Sequence, residues 1–204
     1  MGKNIRSIVR FFRRVRNRLS CYTNLLRFNL YGIKYGHNCV VHGKLYINLF
    51  PSASVKIGDN LYFSSGCAIN ALCSNKRGCI YATENAKIII GNNVGMSSTV
   101  LWAHEKIIIG NYVKIGGNCI LMDTDAHNIE YITRRGQYTD WGKTSPIVIE
   151  DDAFIGANCI ILKGVTIGAR SIIAAGSVIN RSIPADCIAG GNPAKVIRFF
   201  NLKK

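Results

Sequence analysis

No aspartate or glutamate occurs before Asp59. Residues 1–58 hold Lys3, Arg6, Arg10, Arg13, Arg14, Arg16, Arg18, Arg27, Lys34, Lys44 and Lys56, which is eleven cations against no anion and so eleven of the +15 net charges. The rest of the chain is only mildly basic. No apolar run is long enough to span a bilayer, and charges break every apolar run near the start, so no secretory leader is read there. The eight cysteines contain no CxxC pair, which argues against zinc and redox frameworks. Cys67, Cys119 and Cys159 instead recur in one sequence context, and Cys39 has a similar one (Gly36-His-Asn-Cys39). They read as small interior side chains kept as thiols in a reducing cytosol. Histidine is scarce at four: His37, His42, His104 and His127. His104 and His127 are 23 residues apart with a register slip between them, and no third histidine falls at a matching step. No three-ligand metal site is expected.

What the chain does have is a rhythm of six. Ile90-Gly91 is followed by Met96-Ser97 and Trp102-Ala103, then Ile109-Gly110, Ile115-Gly116 and Leu121-Met122. The cleanest run is Ile155-Gly156, Ile161-Leu162, Ile167-Gly168, Ile173-Ala174 and Ile179-Asn180, with a weaker copy at Ile57-Gly58, Phe63-Ser64 and Ile69-Asn70. Six is too long for strand alternation and fits no helix. It fits a chain that turns a corner every six residues, so that three hexads close one triangular coil and successive coils pair as parallel strands. The aliphatic residue points inward, and Asn and Gly take the corners (Gly91-Asn92-Asn93, Gly110-Asn111, Gly117-Asn118, Ala157-Asn158).

Residues 1–35 form a basic helical extension, with Ile5, Ile8, Val9, Phe12, Val15, Leu19 and Tyr22 on one face of one or two helices. That pattern fits an anionic membrane surface, or a face packed on the β-domain or another subunit. No nucleic-acid reader motif accompanies it, so nucleic acid is set aside. Residues 36–198 form the repeat domain, its opening coils irregular, with Ala71–Gly78 as a loop. Residues 128–146 interrupt the rhythm as a projecting loop that carries Arg134, Arg135, Tyr138 and Trp141. Such excursions often form a binding face. Pro184 stops the hexads, and residues 199–204 are a basic tail.

His127 ends a regular coil at the mouth of that loop, in Met122-Asp-Thr-Asp-Ala-His127. An imidazole is a natural base for an alcohol near neutral pH. Asp123 and Asp125 are both candidates for orienting it. His104 reads as a solvated corner, and the same reading leads for His42, with an acceptor pocket as its alternative.

These features together resemble the left-handed parallel β-helix acyltransferases. They are the hexads, the Asp-Thr-Asp-Ala-His127 segment, the interrupting loop, the resumed Ile155-Gly-Ala-Asn-Cys-Ile160 coils and the closing Gly190-Gly-Asn-Pro-Ala-Lys-Val-Ile-Arg198. Within that superfamily the chain is most similar to the galactoside and maltose O-acetyltransferases and to capsule and O-antigen O-acetyltransferases. The resemblance covers residues 55–198 and leaves the basic helix unexplained.

It implies an all-β prism, a homotrimer with its sites between subunits, acetyl-CoA as donor without a metal, and His127 as the catalytic base. It further implies CoA contacts at Phe154, Gly156, Ala157, Ala175, Asn180, Arg181, Lys195 and Arg198. Phe154 replaces a frequent tryptophan, Ala157 a frequent serine, and Asn180-Arg181 a usual Thr-Lys. Ser98 and Thr99 fall near the family's acceptor-pocket asparagine, and Trp141 is the loop's candidate for touching substrate. The expected activity is O-acetylation of a sugar or polysaccharide-precursor hydroxyl by a cytoplasmic enzyme, peripheral at the inner membrane face. Acetylation of serine, an amino sugar or an antibiotic is the alternative, as is a non-catalytic binding module.

Overall fold

The computed structural model describes residues 2–73, 76–135 and 142–200, with side chains from residue 5 onward. The chain forms a left-handed parallel β-helix whose strands fall on three faces, with six strands on the first and third and eight on the second. Each coil contributes one strand to each face in turn. The first coil uses Lys34–Tyr35, Val40–Gly43 and Tyr46–Leu49, and the second uses Ser54–Ile57, Tyr62–Ser65 and Cys79–Ala82. The third has Lys87–Ile90, Gly95–Ser97 and Val100–Ala103, and the fourth has Lys106–Ile109, Lys114–Ile115 and Ile120–Met122. After the projecting loop come Ile147–Ile149, Phe154–Ile155 and Ile160–Leu162, then Thr166–Ile167, Ile172–Ile173 and Val178–Ile179. Cys187–Gly191 adds a last parallel strand to the second face, and Ala194–Phe199 folds back on it antiparallel.

The six-residue period is the cause of this shape. Inward positions stack in register from coil to coil: Ile90, Ile109, Ile149 and Ile167 on the first face, Met96, Ile115, Ile155 and Ile173 on the second, Leu101, Leu121, Ile161 and Ile179 on the third. All twelve are buried. Burying one such side chain is worth about 1.5–3 kcal/mol, so the stack supplies the main driving force. In the third coil the inward residue is Leu101 and Trp102 faces out, one place off the Trp102-Ala103 hexad read from sequence. The corners need left-handed backbone, and Asn38, Asn60, Asn93, Asn118 and Asn158 supply it at φ between 55° and 64°. Their amides ladder upward, Asn38 to Asn60 at 3.2 Å and Asn60 to Asn93 at 2.9 Å. Cys39, Cys119 and Cys159 are interior as expected, whereas Cys67 is exposed. Cys119 sits against the Cys159 thiol in the core, and that contact together with burial holds it well above the usual thiol range.

The opening coils place a strand on every face, and their irregularity is confined to an excursion in the second coil. The excursion in the second coil begins at Gly66 and runs to Gly78, earlier than the Ala71–Gly78 loop expected. Ile69 therefore lies in the loop, and the true third strand is Cys79–Ala82. A short 3-10 turn, Ala71–Cys73, buries Cys73 and brings the Leu72 carbonyl to the Asn118 amide at 3.0 Å.

The extension is one helix, α1, Gly2–Leu30, and the first-face strand Lys34–Tyr35 already belongs to the prism. The C-terminal half of α1 lies on the first coil. Phe28 is buried in the core. Asn24 donates to the Val41 and Gly43 carbonyls at 3.1 and 2.7 Å, and Arg27 donates to the Leu45 carbonyl at 2.8 Å. Val41 and Gly43 sit on the outer edge strand of the second face, and Leu45 just beyond it, where no coil precedes to take these acceptors. The helix thereby protects an exposed strand edge. His42 serves the same docking, with Nδ1 3.1 Å from the Asn17 carbonyl.

The docking residues Asn17, Cys21, Asn24 and Phe28 and the apolar series Ile5, Ile8, Phe12, Val15, Leu19, Tyr22, Leu26 and Leu30 both repeat every three to four residues. The two series are out of phase by about half a turn. The apolar stripe is exposed from end to end, from 39% at Val15 to 77% at Leu30. Among the described residues, no helix is long and apolar enough to cross a membrane.

Candidate active site

The loop that carries His127 leaves the prism at the edge between the third and first faces. Thr124 bridges Thr144 antiparallel, the Asp125 N–H donates to the Lys143 carbonyl at 3.1 Å, and the Ser145 N–H donates to the Asp123 carbonyl at 3.0 Å. These contacts pin both ends of the excursion, so His127 stands exposed just above a rigid base. Gly142, at φ +67°, backs onto the His127 carbonyl so closely that a Cβ would come within 2.5 Å of it. The projecting segment carries one helical turn, α2, Tyr131–Arg134. Trp141 and Tyr138 lie outside the described residues.

Neither aspartate expected to support the imidazole faces it. Asp123 is fully buried, and its carboxylate accepts the backbone N–H groups of His104 at 2.7 Å, Glu105 at 2.9 Å and Lys106 at 2.7 Å. It is spent on closing the corner of the coil below. Asp125 reaches Lys163 on the next coil at 3.3 Å. Lys163 was invisible to sequence reading because its partner is 38 places away; only the coil stacking joins them.

His104 is half-buried rather than solvated, in an aromatic group with Tyr81 and Trp102 at ring separations of 5.7–6.0 Å. Burial holds its imidazole below the usual histidine range, with the Asp123 carboxylate opposing.

The residues expected at CoA fall into two groups. Gly156, Ala157 and Ala175 stack at the edge between the second and third faces. The Gly156 N–H donates to the Ile173 carbonyl, and the Ala157 carbonyl accepts the Gly176 N–H, both at 2.8 Å. A Cβ on Gly156 would sit 2.5 Å from the Ala175 nitrogen, so the coils touch here through bare backbone. Among the described residues, the N–H groups of Ala157 and Ala175 have no hydrogen-bond partner. Phe154, 47% exposed, lies on the second face beside this edge, and Lys195 and Arg198 are exposed on the closing strand of the same face. Asn180 and Arg181 instead follow the last third-face strand, on the same edge as His127.

Ser98 and Thr99 are wholly buried, and Ser98 Oγ accepts the Gly66 N–H at 2.8 Å. They anchor the 66–78 excursion and have no surface to offer an acceptor. Among the described residues, no group of three or more His, Cys, Asp or Glu is set to hold a metal ion.

Residues 146–181 match the family model described as hexapeptide repeat of succinyl-transferase. A hexapeptide-repeat containing acetyltransferase from Vibrio cholerae superposes with a TM-score of 0.56 at 28% identity, over 99% of this chain and 93% of that one. The chain thus carries the hexapeptide repeat and shares the fold of hexapeptide-repeat acetyltransferases. A maltose O-acetyltransferase from Clostridium difficile 630 superposes with a TM-score of 0.52 at 25% identity, over 81% of this chain and 71% of that one. In sequence, a 2,3,4,5-tetrahydropyridine-2,6-dicarboxylate N-acetyltransferase from Staphylococcus aureus is 50% identical over 54 residues, 26% of this chain and 23% of that enzyme. The chain thus matches about a quarter of that relative's length. In this chain the His127 edge and the Ala157–Ala175 edge are separated by the whole width of the third face. That face is three to four residues wide, so the edges lie roughly 10–13 Å apart. One protomer alone does not bring the histidine to the stacked corner.

Proposed function

We propose that the protein transfers the acetyl group of acetyl-CoA to a hydroxyl of a sugar or polysaccharide precursor, with His127 as general base. The observation that carries this reading is the division of the chemistry between two prism edges. The third face between them presents Val100, Ile120, Ile160 and Val178 outward, all only half-buried in the single chain. Three prisms packed through that face as a homotrimer would set the His127 edge of each against the Ala157–Ala175 edge of its neighbour. The pantetheine arm then lies along the stacked corner, where the Ala157 and Ala175 N–H groups offer donors. Phe154 flanks it, and Lys195 and Arg198, with Arg181 from the facing edge, meet its phosphates.

In the ternary complex the imidazole takes the proton of the acceptor hydroxyl as that oxygen bonds to the thioester carbonyl carbon. The tetrahedral oxyanion is held by a backbone N–H at the corner. Its collapse expels the CoA thiolate, which takes the proton back from the imidazolium. No acyl-enzyme forms, and holding two substrates in place supplies much of the acceleration. Since Asp123 is engaged by backbone N–H groups and Asp125 by Lys163, neither carboxylate is assigned to the ring in this reading.

The maltose O-acetyltransferase likeness supports a sugar hydroxyl. The 50% identical stretch of an N-acetyltransferase favours a second reading, in which the acceptor is an amine. The protein is further proposed to work in the cytoplasm, with the apolar stripe of α1 and its flanking arginines resting on an anionic membrane. His127→Ala should lower acceptor-dependent thiol release by about 10²–10⁴-fold while CoA still binds, and the acceptor panel should favour sugar hydroxyls. Full turnover in the variant would sink the assignment of the base, and turnover with amines alone would move the acceptor to the second reading.

A further inference from the structure

A cavity of about 800 Å³ opens between α1 and the first two coils. Its walls carry Arg16, Arg27, Lys44 and Arg77, and no carboxylate is among the lining residues. We propose that this cavity binds a phosphate or diphosphate group borne by a small organic ligand. Charge and shape make this site, independently of acetyl transfer.

Two of the cations are fixed in place. Arg16 donates from Nη2 to the Ala68 carbonyl at 3.0 Å, and Arg27 donates from Nη1 to the Leu45 carbonyl at 2.8 Å. A carbonyl orients a guanidinium without cancelling its charge, and each guanidinium keeps further N–H donors. Among the described residues, none of the four cations is in an ion pair. The first acidic residue of the chain, Asp59, is at a different edge, against His37. Holding four like charges around one concavity is unfavourable unless an anion occupies it, and a fork of guanidinium donors matches phosphate oxygens.

The volume exceeds what a phosphate fills and falls in the range of small-molecule sites. Ala68 and Ile69 give it an apolar wall, so the ligand carries a body as well as the anion. The site is also not the CoA clamp. It lies on the first and second coils, whereas Ala157 and Ala175 lie on the fifth and sixth, roughly 15–20 Å along the prism at about 4.8 Å per coil.

The test uses the 204-residue chain and inorganic pyrophosphate, titrated by calorimetry at low salt. Lys44 and Arg77 are exposed, and among the described residues neither side chain makes a hydrogen bond, so Lys44→Gln/Arg77→Gln leaves the helix docking intact. Wild type should bind one pyrophosphate per chain. The double variant should bind it about tenfold or more weakly, two charge-assisted contacts being lost, with unchanged unfolding temperature and CoA affinity. Saturating CoA should not displace the ligand.

Equal affinity in wild type and variant, absence of saturable binding, or full displacement by CoA would each overturn the proposal. UDP, farnesyl diphosphate and phosphatidylglycerol vesicles then separate the sources of the group. Variant-sensitive binding of a soluble diphosphate assigns a small carrier, and variant-sensitive binding of vesicles alone assigns a lipid headgroup. Binding of all three with no sensitivity to the variant would overturn the site.

Discussion

Asp123→Asn separates two roles for one carboxylate. In the fold, Oδ1 accepts the His104 N–H, and Oδ2 accepts those of Glu105 and Lys106. An asparagine keeps one acceptor oxygen. Turned to serve Glu105 and Lys106, it points its NH2 at the His104 N–H and orphans that donor. Turned the other way, it orphans two. The first choice costs about 1–3 kcal/mol for the buried unpaired donor, and about 1 kcal/mol more as the two surviving bonds lose their charge assistance. A total of about 2–4 kcal/mol lowers the unfolding temperature by roughly 5–15 °C in a chain of this size. Calorimetric or fluorescence-detected unfolding reads this directly. Asp125→Asn is the control. Its partner Lys163 lies 3.3 Å away with both side chains about 30% exposed, and such pairs contribute about 0–1 kcal/mol. An Asp123→Asn protein that melts with wild type yet loses most of its turnover would refute the corner role and return this carboxylate to His127.

Gly156→Ala should destabilise by about 1–3 kcal/mol through overpacking, because the new Cβ meets the Ala175 nitrogen at 2.5 Å and its Cα at 2.8 Å, backbone atoms with no freedom to swing away. Thermal unfolding measures the loss, and an unchanged melting point would show that the coils separate more easily than the stacking implies. His104 predicts a pH effect. Its folded imidazole is held below the ordinary 6.5 by burial, so at acid pH the unfolded chain binds the proton that the folded one refuses. Stability is therefore full above 6.5 and drains away as pH falls through 6.5 toward the folded value, and His104→Gln should flatten that part of the stability curve. On α1, Phe12→Glu/Leu19→Glu should abolish co-sedimentation with phosphatidylglycerol vesicles without altering the melting point, since both side chains are over 60% exposed on the face away from the prism. Retained sedimentation would remove the stripe as the membrane contact.

What was legible in the sequence is what repeats. Ile155, Ile161, Ile167, Ile173 and Ile179 announce their own spacing, and the prism follows because nothing else buries a residue at every sixth place. The departures were one-off events. Trp102 looked like an inward residue because it keeps the six-residue step from Met96, but the strand Val100–Ala103 buries Leu101 and Ala103 and turns the indole out. The 66–78 excursion hid Ser98 and Thr99, and no local pattern says that a loop from one coil will cover the corner of the next. Asp123 was misread for a related reason. An aspartate two residues from another, before a histidine, resembles a charge partner for that ring, whereas its partners are backbone N–H groups that sequence does not display. His127 stands out as a candidate because it sits where the rhythm breaks, and a break is as visible as a repeat.

That contrast carries a physical lesson about where chemistry can live in this architecture. A hexad spends its inward residue on the core and its corner residue on backbone geometry, and neighbouring coils claim most backbone polar groups along the faces. Reactive side chains and spare N–H groups are therefore left at the edges, at the excursions and at the two ends. His127, the paired Ala157 and Ala175 corner, the closing strand with Lys195 and Arg198, and the cationic cavity under α1 all fall in those places. A triangular prism also sets its edges about one face-width apart, too far for one imidazole to reach a thioester on the next edge. Under the proposed direct transfer, catalysis would therefore need a neighbour, and the half-buried aliphatic third face between the two edges is where that neighbour would have to pack.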